Sequence, residues 1–161
     1  MLSRRQRIWD EAVAELGIDP ASLEHDADPA ASMDAWSRIA RHLENRGLAS
    51  EAAEAWDWAV SEALSDGDFE GPDQCVLWEA AAFYDRHDAL GSLRATLEQA
   101  WACTRTTRPI PAEFAVGLLE RLGVVYERMR MPDRAAEVYA RAAVLTDLVA
   151  PQAASQTRRC A

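Results

Sequence analysis

The fold is decided by residues 119–142, which read LERLGVVYERMRMPDRAAEVYARA. Apolar residues recur in this stretch every three or four positions, the spacing of one face of an α-helix. The break between Arg128 and Pro132 divides the stretch into two helices, and so short a connection requires them to pack antiparallel. The stretch therefore predicts a helical hairpin.

The same pattern occurs twice earlier in the chain. A small residue lies near the middle of each first helix, at Ala40, Ala81 and Gly123, with separations of 41 and 42 residues. Small residues let two helices approach closely, while large neighbours fill the gaps beside them. The sequence therefore contains three copies of one unit. The other matching positions are Trp36, Ile39, Leu43, Ala52, Trp56 and Ala59; Leu77, Ala80, Tyr84, Leu93, Leu97 and Ala100; and Leu119, Leu122, Tyr126, Ala135, Tyr139 and Ala142.

The whole chain is predicted to be α-helical. Ala occurs 32 times, against 19 for Val, Ile and Thr together, and this balance favours helices over strands. The first helix is expected at Arg4–Leu16, ended by Gly17. Three pairs follow, with Ser32 as the N-cap of the first pair: Ser32–Asn45 with Ser50–Leu64, Asp73–Arg86 with Leu90–Thr104, and Pro111–Arg128 with Pro132–Val149.

The length of 161 residues suits a single domain. We expect residues 1–31 to form an N-terminal capping helix and a linker, and residues 32–150 to form the three hairpins. Because the segment from Pro151 onward is polar, residues 151–161 are expected to be a flexible tail.

The repeat resembles the tetratricopeptide repeat, whose signature is W-x-x-L-G-x-x-Y followed by A-x-x-x-F-x-x-A. The third copy matches best, and the first adds Gly47 at the turn. The middle copy departs at Leu93, and the usual proline after the second helix is absent at Leu64, Arg105 and Asp147. The resemblance covers Met33–Val149, and the period of 41–42 is similar to the long variant in kinesin light chains and in sensor regions of bacterial regulators.

The resemblance implies a right-handed superhelical array of three antiparallel hairpins, with a concave groove that holds a peptide or a partner helix. The first helices would line this groove with the residues that remain after the core is assigned. Trp78 could anchor an apolar side chain and the arginines could bind carboxylates. The alternative is that Trp78 packs between repeats and the arginines pair with neighbouring acids. The predicted groove consists of Ser37, Arg38, Arg41, Asn45, Trp78, Ala82, Asp85, Glu120, Val124 and Arg128.

The end of the array predicts a second contact surface. A repeat stack usually closes with a polar capping helix, and the twelve residues after Val149 lack a helical pattern. The last helix would then expose part of Val138, Leu145, Leu148 and Val149. An uncovered apolar strip indicates an interface, so we expect a homodimer or a constitutive partner there.

The net charge of the chain excludes some kinds of partner. The 27 acidic and 17 basic residues give a net charge of −10, every basic residue is Arg, and residues 1–80 alone carry −12. Such a chain repels nucleic acid and anionic membranes. Its N-terminus lacks the apolar stretch of a signal peptide, so a cytoplasmic location is expected. The Arg-only, Ala-rich composition suggests a GC-rich bacterial genome.

No motif indicates catalysis, a metal or a cofactor. His25, His42 and His87 have no ligand spacing, and Cys75, Cys103 and Cys160 form no C-x-x-C pair, with the first two expected to be packed thiols. Asp66–Gly71 resembles the start of a calcium-binding loop, but the twelfth position, which needs a bidentate Glu, is Leu77. An acidic connecting loop is therefore expected at Asp66–Asp73.

The sequence thus favours a non-catalytic protein-interaction module, either an adaptor or a chaperone dedicated to one client. The family's Lys and Asn clamp for a C-terminal carboxylate is absent, which argues against that mode of chaperone-tail binding. Chaperones of type III secretion translocators are similar in length and acidity, but their repeat spacing differs. The alternatives are a small-molecule or peptide sensor and, less favoured, an enzyme built in the groove.

Overall fold

A computed structural model of the chain describes residues 3–24, 27–65, 71–104 and 111–157, with side chains up to residue 148. These residues contain helices and no strand, which confirms the predicted all-α class. The helices are α1 (Arg4–Leu16), α2 (Pro29–Asn45), α3 (Ala49–Ala63), α4 (Gly71–Arg86), α5 (Leu90–Thr104), α6 (Ala112–Arg128) and α7 (Pro132–Thr157). Among the described residues, no helix is both long and apolar enough to cross a membrane.

The chain divides into two compact units, residues 1–88 and 89–161. In the first unit, α2 packs along α3, α3 packs against α4, and α1 lies on α2. Its core is built around five side chains that are almost completely buried: Ile39, Leu43, Trp56, Phe83 and Tyr84. In the second unit, α6 packs against both α5 and α7, around leucines such as Leu97, Leu118 and Leu122.

The spacing predicted for the repeat recurs in the buried positions and in the turns, but α4 and α5, which were predicted as the second hairpin, belong to different units. Ala40, Ala81 and Gly123 are all buried, and of the other repeat positions only Trp36 and Tyr139 are half-exposed. The turns after α2, α4 and α6 each contain one residue with a positive φ: Gly47 (73°), Asp88 (51°) and Arg130 (59°). These three turn residues are again 41 and 42 residues apart, so the core positions and the turns share one register. Membership of the tetratricopeptide family stays a prediction.

Two predicted helix ends differ from the structure by more than two residues, and the others agree to within two. Helix α2 begins at Pro29 rather than Ser32, because Asp28 caps it: the Asp28 side chain accepts a hydrogen bond from the backbone N–H of Ala31 (3.1 Å). Proline suits the first helical position, where its missing N–H costs nothing. Ser32 is instead buried within the first turn. At the other end, α7 continues to Thr157, so residues 151–157 extend the last helix beyond its predicted end at Val149; the Gln and Ala residues there have good helix propensity.

A hydrogen bond between a tyrosine and a carboxylate recurs in the two units. The Tyr84 hydroxyl on α4 donates to Asp57 Oδ1 on α3 (2.5 Å), and the Tyr126 hydroxyl on α6 donates to Glu98 Oε1 on α5 (2.6 Å). Burial, followed by the bond to Asp57, raises the pKa of Tyr84. Burial and then Glu98 raise the pKa of Tyr126 to about 12.

We expect these tyrosines to make the protein unfold in alkali. An unfolded tyrosine ionises near pH 10, about two units below the folded Tyr126. The raised pKa therefore contributes stability that is complete below about pH 10 and is lost as the pH rises toward the folded pKa. Lysine, the other common titrant in this range, is absent from the sequence.

The test is guanidinium denaturation of the wild type and of the Tyr84→Phe, Tyr126→Phe double variant at about pH 8 and pH 11. The variant should lose less stability than the wild type between these two pH values. At about pH 8 it should itself be less stable by roughly 1–3 kcal/mol, because two partly buried hydrogen bonds to carboxylates are removed. Equal losses between the two pH values in both proteins would show that the tyrosines do not couple ionisation to folding.

Candidate functional site

Several predicted groove residues of the first unit make hydrogen bonds or ion pairs with other residues of that unit. The Arg41 guanidinium lies 2.9 Å from a Glu79 carboxylate oxygen, and Arg38 donates to the backbone carbonyl of Leu16 (2.9 Å). Ser37 was wrongly placed in the groove, because it is buried and its hydroxyl donates to the Met33 carbonyl (2.7 Å). The arginines thus follow the alternative interpretation and pair with neighbouring groups.

The other groove residues are divided between the two units. In the first unit, Asn45 is exposed at the end of α2, and Trp78, Ala82 and Asp85 are half-buried on α4. In the second unit, Glu120, Val124 and Arg128 are exposed on α6. The structure therefore brings Arg41 close to α4, whereas one groove that joins all of these residues stays a prediction.

The apolar residues exposed on α7 are not all those that were predicted. Val138 does not belong to it, because only 6% of this residue is exposed and it packs in the core of the second unit. Leu145 is half-buried, Leu148 is 63% exposed, and Val144, which the sequence analysis omitted, is 60% exposed. The side chain of Val149 lies outside the described residues. Association through α7 stays a prediction.

The polar groups considered for metal binding are scattered or lie outside the described residues. Nε2 of His42 is 2.9 Å from a Glu15 carboxylate oxygen, and the His87 ring lies against Phe83, with 4.6 Å between ring centroids. His25, Cys160 and residues 66–70 of the acidic loop are outside the described residues. No group of three or more His, Cys, Asp or Glu side chains in the described part of the chain could hold a metal ion.

The two described cysteines differ in environment. Cys75 is exposed and Cys103 is half-buried, so the predicted packing of Cys75 was wrong. On α4, Val76 and Leu77 occupy the buried face, and the preceding position therefore points away from the core. Burial raises the pKa of the Cys103 thiol, which lowers its reactivity.

A pocket of about 720 Å³ lies in the first unit. One wall is α1, with Trp9 and Val13. Trp36 on α2, Trp58 on α3 and Leu23 from a 3₁₀ turn, Pro20–Leu23, also line the pocket. This volume lies within the range of sites that bind small ligands or peptide side chains. The full lining is Ser3, Arg5, Gln6, Trp9, Asp10, Val13, Ala14, Ile18, Pro20, Leu23, Trp36, Glu54 and Trp58.

Local sequence signals position the α1 wall. The Ser3 hydroxyl accepts a hydrogen bond from the backbone N–H of Gln6 (3.1 Å) and caps the start of α1. Gly17 ends the helix with a φ of 60°, a left-handed conformation that favours glycine. The chain then turns so that Ile18 is buried. The Arg38 bond to the Leu16 carbonyl attaches the end of α1 to α2.

Three tryptophans form a continuous aromatic surface in the pocket. Trp9 meets Trp36 edge to face, with 5.2 Å between centroids and an interplanar angle of 77°. Trp36 stacks on Trp58 at 5.9 Å and 22°. Trp58 remains 55% exposed. Paired rings of this kind are held in a defined orientation, so the surface is organised before any ligand arrives.

Charged groups lie at the edge of this aromatic surface. Arg5 on α1 forms an ion pair with Glu54 on α3, and both residues line the pocket. Asp10 accepts a hydrogen bond from the Gln6 side chain (3.0 Å). The lining contains no histidine or cysteine. The arrangement is therefore suited to binding an apolar group next to a charged one.

Trp9 and Trp58 were not among the predicted site residues. One signal could have found Trp58: α3 contains Trp56-Asp57-Trp58, and residues two apart lie on nearly opposite sides of a helix. Since Trp56 was assigned to the core, Trp58 had to face away from it. The contact of Trp58 with Trp36 and the position of Trp9 depend on how α1, α2 and α3 pack, which no local pattern specifies.

No model of a known protein family matches the chain, and no curated protein matches it. Among solved structures, the chain is similar to the crystal structure of BtubC (BKLC) from P. vanneervenii. The TM-score is 0.45 and the sequence identity 15%, over 90% of this chain and 76% of the other. Values of this size are too low to assign a family or a function.

Proposed function

We propose that this protein is a non-catalytic protein-interaction module, an adaptor or a dedicated chaperone, whose partner docks in the tryptophan pocket of the first unit. The observation that carries the proposal is the exposure of Trp58, a large aromatic side chain that is stacked on Trp36 at the rim of a pocket. Tryptophan is among the residues that contribute most to protein interfaces, especially where it meets a concave site.

The pocket supports this role better than the groove predicted from the repeat. Arg38 and Arg41 pair with groups of the first unit, and the remaining predicted groove residues are divided between the two units. The aromatic surface, by contrast, is oriented and accessible. An ordered site loses little conformational freedom on binding, and this favours affinity.

We expect Trp58→Ala to abolish partner capture while the protein stays folded. Loss of a tryptophan at the centre of an interface typically costs at least about 2 kcal/mol, a loss in affinity of roughly thirtyfold. The measurement is affinity capture from lysate of the source organism followed by mass spectrometry, with wild type and variant compared. Val124→Ala is the comparison variant, because it removes an exposed apolar side chain of the groove predicted from the repeat, in the second unit.

A protein captured by the wild type and by Val124→Ala, but not by Trp58→Ala, would support the proposal. Identical capture by all three proteins would overturn it. The volume of the pocket favours a small-molecule sensor as the second candidate. That function would be supported by a metabolite fraction that raises the melting temperature of the wild type and not of Trp58→Ala.

A further inference from the structure

The Arg5–Glu54 ion pair indicates what the pocket can bind. It joins α1 to α3 beside the aromatic surface, and both of its residues line the pocket. The Arg5 side chain is 63% exposed and that of Glu54 is 32% exposed. An ion pair so open to water contributes little to stability. A guanidinium from another molecule could therefore replace that of Arg5 at little cost.

Glu54 and Trp58 together form a binding site for such a group. They are four residues apart on α3, so they lie on the same side of the helix. Trp58 stacks on Trp36 and is more than half exposed to solvent. A guanidinium that pairs with a carboxylate can also stack on an adjacent aromatic ring, and arginine combines both interactions better than lysine does.

The surrounding charge favours a cationic partner. Residues 1–88 contain 20 acidic residues and seven arginines, a net charge of −13, whereas residues 89–161 carry +3. Two of those arginines, Arg4 and Arg7, are on α1 but do not line the pocket. A strongly negative unit attracts positively charged segments and speeds their association.

We propose that the partner is a peptide segment that carries an arginine next to an apolar residue. Its guanidinium replaces that of Arg5 on Glu54 and stacks on Trp58, while the apolar side chain enters the pocket between Trp9 and Leu23. Arg5 thus occupies the cation site in the unbound protein and competes with the partner. The inference rests on the proposed function of the tryptophan pocket.

The first test is selection of a displayed library of random twelve-residue peptides on the immobilised full chain, repeated on Trp58→Ala. Peptides enriched on the wild type but not on Trp58→Ala, with arginine next to an apolar residue, would support the inference. Enriched peptides that depend on Trp58 but lack arginine would overturn the inference and leave the proposed function standing. If no enriched peptide depends on Trp58, both fail.

The second test measures the affinity of an enriched arginine peptide for charge variants of the full chain. Glu54→Gln should weaken binding about fivefold or more, because the carboxylate partner is lost. Arg5→Gln should strengthen binding by about two- to fivefold, because the competitor is removed. The matched controls Glu51→Gln and Arg7→Gln change the net charge by the same amounts outside the pocket lining.

These controls separate a local site from general electrostatic attraction. Effects of Glu54→Gln and Arg5→Gln that exceed those of Glu51→Gln and Arg7→Gln would support the assignment of the cation site. Equal effects within each pair would overturn it. Far-ultraviolet circular dichroism and melting temperatures verify that all four variants are folded, which is expected because the altered side chains are at least partly exposed.

Discussion

Trp56→Ala should reduce the free energy of unfolding by about 3–5 kcal/mol, the usual cost of truncating a large aromatic residue in a core. Trp56 is 1% exposed and lies 6.5 Å from Phe83 between ring centroids. This loss is a large fraction of the roughly 5–15 kcal/mol by which a typical protein is stable. Guanidinium denaturation followed by circular dichroism measures it.

Trp58→Ala is the matched control, because it removes the same side chain two residues later in the same helix. Trp58 is exposed, so we expect a loss of only about 0.5–1.5 kcal/mol, from its stacking on Trp36. The pair therefore separates two roles: Trp56 should determine stability and Trp58 should determine binding. Similar losses of stability in the two variants would contradict the assignment of Trp56 to the core and Trp58 to the surface.

Gly123→Ala should destabilise the protein by about 1–3 kcal/mol, the usual cost of overpacking a core. A β-carbon at Gly123 would lie less than 3.0 Å from three ring carbons of Tyr139. Because an aromatic ring is rigid, it would have to move as a whole, away from its place between α6 and α7. Thermal or guanidinium denaturation measures the loss.

Gly91→Ala provides a control for which we expect a gain in stability rather than a loss. Gly91 lies in the first turn of α5, and a β-carbon there would have no atom within 4 Å. Alanine should therefore stabilise the protein by about 0.4–1 kcal/mol, because it reduces the freedom of the unfolded chain. Stabilisation of both alanine variants would contradict the close approach of α6 and α7 at Gly123.

Most helices could be predicted because their signals are local. The prediction of α1 agrees with the structure at both ends, since Gly17 ends that helix in a left-handed conformation. The start of α2 was missed because Asp28 and Ser32 are both suitable N-caps, and the proline at residue 29 decided between them. The end of α7 was missed because the residues from Pro151 onward are polar and lack an apolar periodicity, yet they continue the helix.

The repeat also predicted more of the structure than its core. The register of Ala40, Ala81 and Gly123 reappears in the turn residues, yet only Gly47 among those is a residue type that suggests a left-handed turn. Asp88 and Arg130 adopt a positive φ although neither is a glycine. The sequence position of these turns was therefore predictable, while the backbone conformation at Asp88 and Arg130 was not.

The sequence by itself determined where the helices lie, which faces are apolar and how the repeat is spaced, because these properties depend on residues three to four positions apart. Only the tertiary structure decided where binding can occur. Trp9, Trp36 and Trp58 form one surface, and Arg5 reaches Glu54, because α1, α2 and α3 pack together. Contacts between residues 22 to 49 positions apart are selected by the packing of whole helices, and a local pattern contains no information about them.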